Sequence, residues 1–286
     1  MKKIILILLS VVLLVAGYGF GESEVTFDGS YVDVDTAVVK ETFRGILPNL
    51  GFSEADVIVQ DICAHTGSSL YLDEQKTGGD IQYYSTLDNS VNCKIDRKTG
   101  DIFYRKHVDI DGPIPGLPSK TNAPALAKQH LKALGLYKNK MGDPIVTTIE
   151  EAFFNGQVTV RYEKTRVVTF TRKISGIPVK GASRAVVMLG ANGDLDGMFV
   201  RWMDVKSEKI TGKLAKSEMK AFLKSQLKSR GEANSIRIKK SSLVLYDNGK
   251  GVIEPALVLE GEVTIEGGTF GSNWMLPVLT DPKAEY

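Results

Sequence analysis

Residues 170–204 read FTRKISGIPVKGASRAVVMLGANGDLDGMFVRWMD. Two apolar runs, Arg184–Leu189 and Met198–Met203, flank the segment GANGDLDG at 190–197. Glycine and asparagine tolerate a reversed backbone, so the pattern predicts a β-hairpin. Upstream, Gly176-Ile177-Pro178-Val179-Lys180-Gly181 interrupts a strand-like run with glycine and proline. A second stretch has the same design. Val91–Asp96 alternates apolar and polar residues, Arg97–Asp101 forms a turn with Thr99-Gly100, and Ile102–Arg105 returns. It too predicts a hairpin.

The remaining elements follow from periodicity. Asp35 is a sound N-cap for a helix over 36–48, whose apolar positions 38, 39, 43, 46 and 47 recur at helical spacing. Val57–Val59, Ser69–Leu72 and Ile81–Tyr84 predict strands. Gly112–Ser119 holds three prolines and excludes helix. Thr121 or Asn122 then caps a helix over Ala123–Leu136, with Gly135 near its end. Val158–Tyr162 and Val167–Thr171 predict strands, and Lys213–Ser229 a third helix. Short strands around Arg237, at Ser242–Tyr246, Ile253–Leu259 and Trp274–Leu279 complete the chain.

A helix followed by strands thus recurs, starting near residues 35, 121 and 213. The expected fold is α+β: antiparallel sheets with helices packed on one face, in two or three related units. The expected domains are 22–111 and 121–286, joined by a Pro/Gly linker at 112–120.

Four features carry a resemblance: the GIPV segment with its NGD turn, the Thr-Gly-Asp hairpin at 99–101, the helix at 123–136, and the Pro255-Ala256 strand opening. Together they resemble the FTP and PepSY propeptide modules of secreted metallopeptidases. Where those modules carry an aromatic residue after Pro-Ala, this chain has Leu257. The resemblance is fullest over 121–280 and thinner over 25–111. It implies a stand-alone, non-catalytic binding or regulatory module. Such a module would inhibit, chaperone or regulate a secreted peptidase, or bind another envelope protein.

The N-terminus has its own signal. Lys2 and Lys3 precede an apolar run from Ile4 to Ala16, followed by Gly17, Gly19 and Gly21. A basic start, a short apolar core and small residues predict a secretory signal peptide over 1–21, hence export to the periplasm, medium or cell surface. Extended to Phe20, the run would make a marginal uncleaved anchor, the one route to a membrane. Two cysteines remain, Cys63 and Cys93. In an oxidising compartment such a pair favours a disulfide, the alternative being two buried thiols. Closing a loop of about 30 residues would contribute roughly 3–4 kcal/mol in the chain-entropy picture.

The 36 Lys+Arg and 34 Asp+Glu of the whole chain come into balance once Lys2 and Lys3 are set aside. No basic field therefore draws the chain to nucleic acid.

No stretch encodes local chemistry. His65, His107 and His130 form no His-Glu-x-x-His pattern, and no nucleophile elbow, phosphate loop or dinucleotide fingerprint occurs. Asn192–Gly197 imitates the start of a calcium loop, but Met203 stands where the bidentate glutamate belongs. Asp109 and Asp111 offer two carboxylates at most. The expectation is no catalytic, cofactor or metal residue, with function on the sheet surface that the central hairpin presents. The alternatives are a secreted hydrolase with a non-local site and a structural envelope component.

Overall fold

The computed structural model describes residues 24–27, 36, 39–108, 112–139, 141–154, 158–210, 212–215, 217–219, 221–222, 235–265 and 267–283. The expected signal segment lies outside them. Among the described residues no helix is long and apolar enough to cross a membrane.

The first part of the chain contains β1 (Glu24–Phe27), β2 (Glu41–Ile46), α1 (Phe52–Thr66), β3 (Tyr71–Leu72), β4 (Ile81–Ser85), β5 (Val91–Asp96) and β6 (Asp101–Lys106). After residue 112 come α2 (Ala123–Ala133), β7 (Met141–Phe154), β8 (Thr159–Ile174), β9 (Ile177–Leu189), β10 (Leu195–Arg201) and β11 (Asp204–Lys209). β12 (Ser235–Asp247), β13 (Val252–Ile265) and β14 (Gly268–Pro277) follow.

These strands form one mixed sheet with the path β11-β2-β13-β12-β9-β10-β6-β5-β4-β3. β1 joins β12, β14 joins β13, and β7 joins β9 through β8. The pairs β1/β12 and β12/β9 are parallel.

This architecture corrects the expected α+β class. The molecule is mostly sheet, and its complete described helices have 15 and 11 residues. The correction turns on two elements. The segment expected to be the first helix is strand β2 over Glu41–Ile46, while the expected strand at Val57–Val59 lies inside α1. β-branched residues cost a helix only about half a kcal/mol each. Packing outweighs that here, because Ala55, Val59 and Ile62 recur at helical spacing and are fully or almost fully buried. β2 is claimed by tertiary pairing between β11 and β13, with Phe43 buried. Of the expected third helix, 217–219 and 221–222 are helical and Met219 is buried; much of its remainder lies outside the described residues.

Both predicted hairpins form. In the β5–β6 turn, Asp96 Oδ1 accepts the backbone N–H of Lys98 and Thr99, each at 3.0 Å, and Gly100 has φ 73°. In the β9–β10 turn, Asn192 and Gly193 take φ 54° and 83°. The Pro/Gly segment packs against that turn: Asn192 N donates to Pro115 O at 3.2 Å. Lys164 Nζ donates to Gly112 O at 2.8 Å, and Arg166 Nε to Pro118 O at 3.0 Å. β6, which precedes this segment, pairs with β10, which follows it.

The sheet is covered unevenly. α1 and α2 lie over one face of β5, β6, β8, β9 and β10, in a core with Ile95, Tyr104, Leu131, Val187, Leu189 and Met198. Alternation along each strand sends the intervening residues to the opposite face.

Candidate functional site

That opposite face carries the candidate site. Pairing brings Lys94 on β5, Phe103 on β6, Phe199 on β10 and Val186 on β9 into one lateral row. Two residues along each strand lie Asp96, Asp101, Arg201 and Arg184. Between the two rows is a cleft of about 330 Å³, lined by Lys94, Asp96, Asp101, Phe103, Phe199 and Arg201.

The cleft is both aromatic and cationic. The guanidiniums of Arg184 and Arg201 each sit 5.7 Å from the Phe199 ring centre, where the ring's negative face attracts them. Arg201 Nε donates to Asp101 Oδ2 at 2.6 Å, and Arg201 Nη2 also contacts that oxygen. Asp101 Oδ1 is buried without a donor among the described residues. Lys94 and Arg184 are exposed. The arrangement suits an apolar or aromatic side chain held beside a carboxylate. It contains no nucleophile and no imidazole.

Near Arg201, the cleft residue that feels the Asp247 charge, lies a set of buried polar groups. Arg172 is the largest fully buried side chain, and its Nη1 donates to Met203 O at 2.7 Å. Its guanidinium lies 5.3 Å from the Trp202 ring centre, and Nε has no acceptor among the described residues. Asp247 is also buried. It accepts Gly249 N at 2.8 Å through Oδ1 and the Ser183 hydroxyl through Oδ2. Burial lowers the Arg172 pKa, while the Asp247 and Asp204 charges oppose that shift.

The fold recurs in a bacterial protein. An uncharacterized protein from Eubacterium rectale superposes with a TM-score of 0.55 at 12% identity, over 87% of this chain and 86% of that one. The Bacillus megaterium YpeB C-terminal domain aligns with a TM-score of 0.39 at 15% identity, over 82% of this chain and 99% of that domain. Neither a protein-family model nor a curated protein matches the sequence. The first likeness shows the architecture, and the site has to be argued from its own residues.

The residues singled out by sequence are dispersed. Cys63 on α1 is half-buried and Cys93 on β5 is buried, and both are free thiols. Burial, then the charge of nearby Cys63, pushes the Cys93 thiol up to about 12. Asn192–Gly197 forms the hairpin turn and the start of β10. Burial raises the Asp196 carboxyl above its ordinary range. Asp109 and Asp111 lie outside the described residues. No group of three or more His, Cys, Asp or Glu able to hold a metal converges among the described residues. His107 is exposed, and its backbone N–H donates to Ser90 O at 2.6 Å.

His65 and His130 meet across 65 positions, with His65 Nε2 2.7 Å from His130 Nδ1. His130 Nε2 lies 2.9 Å from Gly193 O. A carbonyl only accepts, so His130 Nε2 carries the proton, its Nδ1 accepts, and His65 Nε2 donates. The contact ties both helices to the central turn. Burial first, then the His130 charge, lowers the His65 pKa from 6.5. A depressed histidine gives stability that is present above its unfolded pKa and lost as pH falls through the folded one. Guanidinium midpoints should therefore fall on acidification below about 6.5, and His65→Asn should flatten that dependence. An unchanged pH profile in His65→Asn would show that the pair carries no such linkage.

Proposed function

We propose that this chain is an exported, non-catalytic binding module that presents the open face of β9 and β10 to a protein partner. The observation that carries this reading is the cleft between Phe103 and Phe199, rimmed by Lys94, Arg184 and Arg201 on the face the helices leave bare. Aromatic and arginine side chains are the types that concentrate binding energy at interfaces. The resemblance to FTP and PepSY modules makes a secreted peptidase or an envelope protein the partner class. The open face of the β9–β10 hairpin, rather than its turn, is the functional part of the central stretch.

The test places a photo-crosslinking phenylalanine analogue at Phe199 and captures partners from envelope and medium fractions with the full chain. One partner should crosslink, and Phe199→Glu should weaken its capture at least about tenfold, as expected for a central aromatic anchor. His65→Asn, on the covered face, should leave capture unchanged. Equal capture by wild type and Phe199→Glu overturns the reading.

Export carries a separate expectation. Export to an oxidising compartment would join the two free thiols, so exported protein denatured without reductant should take up no alkylating reagent until it is reduced. Two alkylated thiols in unreduced exported protein would count against that pairing.

A further inference from the structure

The sheet path ends at β3, and a second concavity opens there, on the helix-covered side and away from the cleft described above. It measures about 590 Å³ between α1 and β3, and its walls include Asp56, Gln60, Cys63, Ser68, Leu72 and Tyr84. None of the lining residues is a lysine or arginine, and Asp56 is the one carboxylate among them. Glu54 and Asp61 on α1, with Glu74 after β3, add to the negative charge of the same elements. Two nearby cations have partners of their own, although the Arg97 charge still reaches Tyr84. Lys76 pairs with Asp73 at 3.0 Å. Arg97 stacks on Phe52 at 3.8 Å and donates to Gly79 O at 2.7 Å.

The backbone at this edge has a defined direction. Asp73 N donates to Tyr83 O at 2.8 Å, so that pair is hydrogen-bonded across β3 and β4. Leu72 faces Tyr84, one position away. Hydrogen-bonded and non-hydrogen-bonded pairs alternate in an antiparallel ladder, so the N–H and C=O of Leu72 point away from β4, toward the free edge. β3 has only two residues, so a docking strand gains one such pair there and the rest of its recognition must come from the cleft. Tyr71 and Leu72 are 56% and 44% exposed, an apolar rim on that edge. Inside, Gln82 Nε2 donates to the Tyr84 hydroxyl at 2.9 Å, which donates to Asp56 Oδ1 at 2.6 Å. Burial, then the bond to Asp56, raises the Tyr84 pKa, so the phenol stays a donor. Gln82 Oε1 is buried without a donor among the described residues.

From this geometry we infer that the α1/β3 cleft binds an extended segment of a protein that pairs with the Leu72 backbone and sets a lysine or arginine side chain against Asp56. The fixed phenol occupies one carboxylate oxygen and leaves the other to the incoming cation. Edge addition supplies register, and the unbalanced carboxylate supplies selectivity for a basic side chain. This site is independent of the Phe199 cleft, and each can fail without the other.

The probes are fluorescein-labelled Thr-Val-Lys-Val-Thr and its Thr-Val-Glu-Val-Thr counterpart, titrated by anisotropy into the full chain. The lysine peptide should bind at least about tenfold more tightly than the glutamate peptide. Asp56→Asn keeps an acceptor for Tyr84 but removes the charge, and it should weaken the lysine peptide about tenfold. Leu72→Pro removes the outward N–H, which proline tolerates on an edge strand, and should weaken binding severalfold more than Leu72→Ala, which removes the side chain alone, with similar thermal unfolding of the two variants. Should either variant misfold, amide exchange on wild type decides: Leu72 N–H should become protected when the lysine peptide is added. Equal binding of the two peptides, no binding, or full affinity in Asp56→Asn overturns the proposal. So does displacement by spermidine combined with full affinity in Leu72→Pro, which would mark a free polyamine site.

Discussion

Gly181→Ala is expected to lower thermal stability by roughly 10 °C, a loss of about 3–5 kcal/mol for a chain of this size. Gly181 has φ +101°, and a Cβ there would fall 2.2 Å from the backbone oxygen of Asp247 and 3.1 Å from its carbonyl carbon. Both atoms belong to β12, which pairs with β9 in parallel at this residue. A backbone held in a ladder cannot turn aside as a side chain does, so the strands must separate locally. Gly176→Ala is the control. Gly176 also has positive φ, +81°, but a Cβ there meets nothing within 4 Å. It should cost only about 1–2 kcal/mol, the ordinary penalty of a left-handed alanine. Differential scanning calorimetry of the two variants decides the matter. Equal losses would mean that conformational strain dominates, and that the approach of β9 to β12 tolerates a methyl group.

That contrast shows what the sequence carried. Gly176 and Gly181 flank Ile177–Lys180 symmetrically, and both stand out as interruptions of a strand. Nothing local says that one faces open space and the other a strand some 65 positions away by the register of β9 and β12. Hairpins were legible because their turns are local chemistry: Asp96 and Gly100 in one, Asn192 and Gly193 in the other. Helix α2 was legible from Asn122 to Gly135 for the same reason. β2 and α1 were exchanged in the sequence-based expectation, because each has a pattern compatible with the other state. The choice was made by partners distant in sequence: β11 and β13 for β2, and the β5–β6 core for α1. The candidate site is likewise half local. Arg184 and Phe199 belong to one hairpin and share its open face by alternation. Lys94, Asp101 and Phe103 join them only because β6 pairs with β10, a contact no periodicity announces. The His65–His130 bridge depends on the same kind of distant packing.

Asp247→Ala should be among the most damaging single changes in the molecule, costing about 3–5 kcal/mol. Asp247 is 1% exposed and Arg172 is 2% exposed. They are not in direct contact through a hydrogen bond, yet the Asp247 charge is the largest influence that favours charged Arg172 against its burial. Removing the carboxylate leaves Ser183 and Gly249 N–H without their acceptor, and leaves a desolvated guanidinium with one backbone oxygen, that of Met203. Arg172→Met should cost less, because it removes a poorly satisfied cation, fills similar volume and leaves Asp247 its two donors and the charge of Arg201. The double variant then separates charge from packing. If the two charges sustain each other, Asp247→Ala/Arg172→Met will be more stable than the sum of the single losses by about 1–3 kcal/mol in denaturant titration. Strict additivity would mean that Asp247 acts only as a hydrogen-bond acceptor for Ser183 on β9 and for the β12–β13 turn. In that case Asp247→Asn, which keeps acceptor capacity without charge, should restore most of the stability. With charge coupling it should not, because Arg172 would keep only the weaker charge of Asp204. Arg172 on β8 and Asp247 on β12 would then be held together by a long-range ionic balance that also reaches Arg201 of the Phe199 cleft.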